Sequence, residues 1–250
     1  MIAEGSVGPR RGKFRRVSSL STLGEIDVLS VEECQDVTDA VLDLRDEWTR
    51  RSPTGLFFTL GVNAYMDLAN ATDSGRAYHA GAQRVNRLLE DRFGGVHSKL
   101  AEALTDAVGI PTRYADDLAM PGFHIWVGPG IPSTAEASIH FDLQYQRLLQ
   151  RPVYARAAGT VSFTLPIRLP AAGSSLRLWP SCTYPADVAH LNIARSTSPE
   201  VVVYHLGSAL VHSGHVLHQI GPTPSVQPED LRVMLQGHGL VVDHALILYW

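Results

Sequence analysis

The chain predicts an α+β fold. A helical layer from its first half packs on one sheet of an antiparallel double-sheet barrel, a double-stranded β-helix of the jelly-roll type, built by its second half. Three observations carry this reading. Apolar residues recur at helical spacing before residue 115, the period changes to two after residue 120, and neither a long linker nor an internal repeat separates the halves. The expected organisation is a disordered tail over 1–20 and a single domain over 21–250, with the helical layer at about 30–115 and the barrel at about 120–250.

Ser30-Val31-Glu32-Glu33 reads as a capping box, because Ser30 can accept from the backbone N–H of Glu33 while Glu33 reaches back. Cys34, Val37, Val41, Leu44 and Trp48 follow at helical spacing, which predicts a helix over about 31–51, closed by Ser52-Pro53. A short helix is expected through Leu60 to Leu68. A third follows Gly75 with Tyr78, Ala82, Val85 and Leu89 on one face. A fourth carries Leu100, Leu104 and Val108 and stops at Gly109 with Pro111 beyond.

From residue 120 the pattern alternates. Val161, Phe163, Leu165, Ile167 and Leu169 interleave with Thr160, Ser162, Thr164, Pro166 and Arg168, which predicts a half-buried strand with Pro166 arguing for a sheet edge. Shorter strands are expected at Phe123–Val127, Ser138–Leu143, Leu176–Trp179, Val201–Leu206, Leu231–Val242 and Ala245–Tyr249. Residues 201–222 read as strand, Gly-Ser turn, strand and Gly-His turn.

With 250 residues, 45% of them hydrophobic and 18% charged, the chain has the apolar mass for one sizeable core. A net charge of −4 gives no global signal for nucleic acid or an anionic membrane. The cluster Arg10, Arg11, Lys13, Arg15 and Arg16 falls in the Gly/Pro/Ser-rich tail and reads as disordered. No apolar run reaches the length of a membrane span, and the N-terminus lacks the apolar core of a signal peptide. Two cysteines, Cys34 and Cys182, stand at no metal-like spacing, which fits a reducing cytoplasm.

Four residues carry the chemistry: His140 and Asp142 in SIHFDLQY, His218 in GHVLHQIGP and Arg232 in DLRVMLQGHG. Side chains i and i+2 of a strand share a face, so His140 and Asp142 aim at one point. Alone, His-x-Asp arises often by chance and reads as a hydrogen-bonded pair. A second histidine, His218, completes a set of two His and one carboxylate that leaves three metal positions open, the arrangement of mononuclear non-haem Fe(II) oxygenases. The guanidinium of Arg232 is a natural partner of an organic acid, because its fork binds two oxygens at once. The competing reading puts Arg232 on a solvent face in a surface salt bridge.

In the order His-x-Asp, strand pair with a glycine-containing turn, distal His after a Gly-rich approach, and Arg on the next strand, residues 120–242 resemble the Fe(II)/2-oxoglutarate-dependent dioxygenase superfamily. The resemblance implies that His140, Asp142 and His218 bind Fe(II) and that Arg232 holds the distal carboxylate of 2-oxoglutarate. It also implies that O2 and a small-molecule substrate are the remaining reactants. FFTLGVNAYMDL together with PGFHIW is similar to the small bacterial oxygenases of free amino acids, which include hydroxylases and halogenases. Halogenases of that group have Gly or Ala at the carboxylate position; Asp142 there implies hydroxylation.

His212, His215 and His218 stand three apart and cannot all share one strand face. His218 is the favoured ligand, His215 the alternative, and His212 a supporting polar residue. Arg232, Met234, Gln236 and His238 share a face by alternation and can line a barrel mouth. His124 and Trp126 share parity before the Gly/Pro-rich loop, and Gln144 shares it with Asp142, so these are candidate substrate contacts. Trp126 reads equally as core. Trp250 covers either a site entrance or apolar surface, and Arg76 and Arg84 read as solvated helix residues. Two rival readings are a cupin-like metal barrel that binds a small acid without oxygen chemistry and a zinc hydrolase, in which Arg232 has no required role.

Overall fold

The computed structural model describes residues 15–16, 24–53, 55–68, 75–134, 138–149, 151–185, 192, 194 and 196–250. Among these, the helices are α1 (Val31–Asp43), α2 (Arg76–Val108) and α3 (Tyr145–Leu148), with shorter turns at Arg45–Glu47, Ala64–Leu68 and Gly128–Gly130. The strands are β1 (Arg15–Arg16), β2 (Gly24–Asp27), β3 (Thr49–Arg50), β4 (Phe57–Leu60), β5 (Thr112–Tyr114), β6 (Gly122–Val127), β7 (Gly159–Arg168), β8 (Ser175–Thr183), β9 (Glu200–Val203), β10 (Ser208–His212), β11 (Val216–Ile220), β12 (Leu231–Val242) and β13 (Ala245–Tyr249).

They form a ten-stranded sheet ordered β1-β2-β10-β7-β12-β6-β4-β3, with β13 and β5 attached beside β12, and a three-stranded sheet ordered β11-β8-β9. All pairings are antiparallel except β13 with β5. One edge of β12 pairs with β7. The other pairs first with β6 and then with β13. The chain is therefore mixed α and β around a large antiparallel sheet.

Strand alternation divides the large sheet into two faces. Phe123, Ile125, Phe163, Leu165, Ile167, Val233 and Leu235 join Val37 and Val41 of α1 and Val85, Leu89, Phe93, Leu100 and Leu104 of α2 in one core. The opposite face contributes Trp126, Leu210 and Met234 to a second core shared with Leu176, Leu178 and Val202 of the small sheet. The helices thus cover one side of the large sheet and the small sheet covers the other.

The capping box forms as expected: Ser30 Oγ accepts from Glu33 N at 3.2 Å, and Ser30 N donates to the Glu33 carboxylate at 2.8 Å. This cap is worth about 1 kcal/mol. α1 stops at Asp43 rather than near 51. The Trp48 indole donates to Val41 O at 3.0 Å and folds the apolar stripe's last member back onto the core, where Trp48 is partly buried. The third and fourth expected helices are one, α2, which runs through Gly94 and Gly95 because Phe93 and His97 continue its buried stripe. Gly109 takes φ +76° at its end, and its N–H closes on Thr105 O at 2.9 Å. The short helix expected over 60–68 is present only as a π-type turn at Ala64–Leu68, with Leu60 ending β4.

Two strand expectations also change. Ser138–Leu143 is not a regular strand; His140 makes an isolated bridge to His218. β7 is central rather than an edge, lying between β10 and β12. Pro166, which has no N–H to give the ladder, is accommodated where the β7–β12 register shifts at Val233/Met234, beside its partner position; its carbonyl accepts from Gly207 N at 2.9 Å. Its polar residues Ser162 and Thr164 are buried too. Of the expected disordered tail, Arg15–Arg16 pair with Gly24–Glu25; Arg10, Arg11 and Lys13 lie outside the described residues. Cys34 and Cys182 are buried cysteines, and no described helix is long and apolar enough to cross a membrane.

Candidate metal centre

The small sheet supplies His218 from β11, where it pairs with Leu178 of β8 and is buried. His140 reaches it through the isolated bridge, His140 N to His218 O at 2.9 Å and His218 N to His140 O at 3.0 Å. Each imidazole is oriented in the same way. Nδ1 of His140 donates to Ser138 O at 3.0 Å, and Nδ1 of His218 donates to Val216 O at 2.7 Å. A carbonyl can only accept, so the hydrogen sits on Nδ1, and Nε2 is the atom offered by each neutral ring.

Both Nε2 atoms face Asp142, at 3.7 Å from His140 and 3.5 Å from His218. The three offered ligand atoms lie within 4.8 Å of one another. Ligand bonds of about 2.0–2.2 Å around one ion place neighbouring ligand atoms about 3–4 Å apart, so this donor set fits a metal without rearranging the backbone. The Asp142 side chain is 15% exposed and that of His140 43%, which opens the cluster on the His140 side.

Gly214 makes this convergence possible. It takes φ +77°, and a Cβ there would meet Ser162 Oγ at 2.8 Å and Asp142 Cβ at 3.1 Å. Its carbonyl accepts from Asp142 N at 2.9 Å, which anchors the irregular 138–143 segment. Burial disfavours charge on Asp142, but His218, through charge and hydrogen bonding, with His238 and His212 beyond, outweighs it and holds the carboxyl well below the usual range. For His218, burial opposes protonation, yet the Asp142 carboxylate overrides it and raises the pKa.

Behind the cluster, His212 of β10, Ser162 of β7, His238 of β12 and Tyr249 of β13 lie in register across four strands. His212 Nδ1 accepts from Gly214 N at 3.0 Å, and its ring lies 4.9 Å from that of His218. Burial, then the neighbouring His218, pushes His212 down to about 3. Burial likewise lowers His238, whose Nδ1 lies 3.1 Å from Ser162 Oγ. His215 is not part of the cluster; its Nε2 is engaged by the Tyr145 hydroxyl at 3.0 Å.

Arg232 is 2% exposed, which excludes a surface salt bridge. Its Nε donates to Ser174 Oγ at 3.0 Å, its guanidinium lies 4.3 Å over the Trp126 ring, and Trp126 stacks on Phe57 at 4.5 Å. Among the described residues Nη1 has no hydrogen-bond partner and no carboxylate pairs with the group. Burial pushes its pKa down to about 10. A buried cation held by aromatic faces and one hydroxyl has the chemistry to take an anion. Met234 and His238 are buried on the same face of β12, and Gln236 Nε2 donates to Thr164 Oγ1 at 3.1 Å.

The remaining candidates sort differently. Trp126 is the platform for Arg232 and part of the second core. Trp250 is fully buried against Gly61 and Gly122 rather than at an entrance. Gln144 precedes α3 and is partly buried. Arg84 forms an exposed ion pair with Glu47 at 3.1 Å, as a solvated helix residue does. Sequence reasoning missed Tyr65, whose hydroxyl hydrogen-bonds His124 Nε2, together with Ser174 and Ser162. Ser162 was reachable by parity with Thr160 and Thr164; nothing in the sequence marked Tyr65 or Ser174.

No protein-family model matches the chain, and no curated protein matches it. Among solved structures it is similar to an N-substituted L-amino acid dioxygenase from Burkholderia ambifaria, at 13% identity and a TM-score of 0.56 over 92% of this chain and 86% of that one. The α-ketoglutarate complex of that dioxygenase gives 12% identity and a TM-score of 0.54 over the same shares. At this identity the likeness establishes a shared fold.

Proposed function

We propose that this chain is a non-haem Fe(II)- and 2-oxoglutarate-dependent oxygenase that hydroxylates an unactivated C–H bond of a small molecule, free amino acids being the first class to test. The observation that carries the reading is the pairing of two features. His140, Asp142 and His218 offer a two-histidine, one-carboxylate donor set. On the interior face of the same fold lies a buried guanidinium with an unpartnered Nη1. The Burkholderia ambifaria dioxygenase, whose fold this chain shares, is described in complex with α-ketoglutarate. The same likeness supports a double-stranded β-helix for residues 120–250 and a single domain over 21–250.

In this reading His140, Asp142 and His218 hold Fe(II), and Arg232 holds the far carboxylate of 2-oxoglutarate. The bound iron supplies oxidation by O2 coupled to decarboxylation of 2-oxoglutarate to succinate and CO2. The protein's part is orientation and exclusion of water. The Nδ1 hydrogen bonds to Ser138 and Val216 lock both imidazoles with Nε2 forward. His212 and His238, kept neutral by burial, wall the site without adding charge. Trp126 and Tyr204 flank the guanidinium at 4.3 and 5.9 Å and keep it desolvated, which strengthens its grip on a carboxylate. Asp142 fills a coordination position, which favours hydroxylation over halogenation.

The test is anaerobic titration with Fe(II) and 2-oxoglutarate, following the weak visible charge-transfer band of the chelate. Wild type develops the band. Asp142→Ala loses metal affinity by at least about 100-fold, and His215→Ala keeps it. Absence of the band in wild type, with neither Fe(II) nor 2-oxoglutarate binding, refutes the oxygenase reading.

A further inference from the structure

Arg232 Nη1 is not the sole unpartnered donor position in this interior. Nδ1 of His124 is also buried without a hydrogen-bond partner among the described residues. His124 is 5% exposed and stands on β6 opposite Met234, the residue between Arg232 and Gln236 on that face of β12. Arg232 and His124 lie against the same indole. The guanidinium is 4.3 Å from the Trp126 ring, and the His124 ring centroid is 5.2 Å from it. They are not bonded to each other, and neither atom meets a hydrogen-bond partner within bonding distance among the described residues.

The other side of the His124 ring is settled by Tyr65, whose hydroxyl hydrogen-bonds Nε2. Burial, then the charges of Arg232 and Arg51, hold the His124 pKa well below its ordinary value against a weaker opposing contribution from the nearby Gln236 amide, so the ring is neutral and carries one hydrogen. Burial raises the pKa of Tyr65, which keeps its proton. No other acceptor is engaged by that proton among the described residues, so it goes to Nε2. The single imidazole hydrogen then sits on Nδ1, the unpartnered atom.

We propose that His124, with its hydrogen held on Nδ1 by Tyr65, is a second, neutral donor to the carboxylate-bearing cosubstrate beside Arg232. The inference rests on the oxygenase reading and deepens it. Arg232 supplies charge, while His124 supplies direction, so the two together fix how the ligand lies along β12. Tyr65 acts through His124 and is a positioning residue.

The experiment is an anaerobic titration of the full chain with 2-oxoglutarate in the presence of Mn(II), followed by quenching of tryptophan fluorescence. It is run on wild type, His124→Asn, His124→Gln and Tyr65→Phe, with thermal melts alongside. An asparagine amide N–H occupies the Nδ1 position, whereas a glutamine amide occupies that of Nε2. His124→Asn therefore binds within about threefold of wild type, and His124→Gln binds about tenfold more weakly, the loss of one hydrogen bond to a charged group. Tyr65→Phe frees the tautomer and weakens binding about threefold. Wild type binding 2-oxoglutarate with all three variants unchanged overturns the inference and leaves the oxygenase reading standing. His124→Asn weakening as much as His124→Gln at an unchanged melting temperature overturns the Nδ1 assignment. No binding by wild type overturns both the inference and the reading beneath it.

Discussion

Replacing Arg232 by Met separates the cost of this residue to the fold from its use to a ligand. Burial lowers the guanidinium pKa from 12.5 to about 10. At about 1.36 kcal/mol per pKa unit, keeping it charged inside costs the ligand-free protein about 3 kcal/mol. Against this stand the contact with Trp126 at 4.3 Å, worth about 2 kcal/mol when desolvated, and the Ser174 hydrogen bond, worth about 1 kcal/mol. The three contributions cancel. Arg232→Met, which fills similar volume, therefore melts within about 4 °C of wild type when no ligand is present. A buried arginine in an ion pair behaves differently, and losing it costs about 3–5 kcal/mol. With 2-oxoglutarate and Mn(II) present the two proteins diverge. Wild type gains stability by mass action, and the variant, its affinity lowered by about 100-fold, does not. Differential scanning fluorimetry with and without ligand reads both effects. A ligand-free loss above about 8 °C, or equal stabilisation of both proteins by ligand, refutes the reasoning.

Acid should destabilise the fold starting near pH 6.5. His97 is buried between Phe93 O at 3.1 Å and Pro121 O at 2.9 Å, and burial lowers its pKa. The unfolded chain then binds more protons below pH 6.5, so stability falls with pH by about 1.4 kcal/mol per unit for each such histidine until its folded pKa is reached. His124 and His212 act in the same direction, while His218, with a raised pKa, opposes them. Urea midpoints at pH 7, 6 and 5 check this, and a flat profile contradicts it. Gly94→Ala and Gly122→Ala should change stability in opposite directions. A Cβ at Gly94 meets nothing within 4 Å in the middle of α2, so alanine there stabilises by about 0.5–1 kcal/mol. A Cβ at Gly122 would stand 2.3 Å from the Trp250 ring and 2.5 Å from Leu60 O, so alanine there destabilises by about 2 kcal/mol or more. Chemical denaturation of the pair measures the contrast.

The sequence made some of this legible and hid the rest for physical reasons. Leu231–Val242 and Ala245–Tyr249 match β12 and β13 end to end, and Asp243 and His244 at positive φ make the turn between them. The capping box located the start of α1 because it is a local hydrogen-bond exchange. Its end was not local. Trp48 belongs to the same core as Val41 but gets there by a turn, which periodicity cannot distinguish from a further helical turn. The expected third and fourth helices are continuous through Gly94-Gly95, because packing of Phe93 and Leu100 against the sheet overrides the low helix propensity of two glycines. In the site, His140, Asp142 and His218 were visible as residue types at strand spacing, but the device that unites them is an irregular segment pinned to Gly214. The pairing of Tyr65 with His124 joins positions 59 residues apart through a π-type turn, and no sequence pattern encodes that contact.

The two-sidedness of β12 sets rules for anyone altering this protein. Arg232, Met234, Gln236 and His238 look toward the site, while Val233 and Leu235 look toward the helices. A variant library restricted to the polar members of the first set, Arg232, Gln236 and His238, acts on the site face and spares the cores, whereas Met234 is itself part of the second core. One restricted to the second set does the reverse. A single-residue insertion or deletion within 231–238 is worse than any substitution, because it exchanges the two sets and turns a guanidinium into the helix-facing core. Selection on this strand can therefore accept changes of letter far more readily than changes of length.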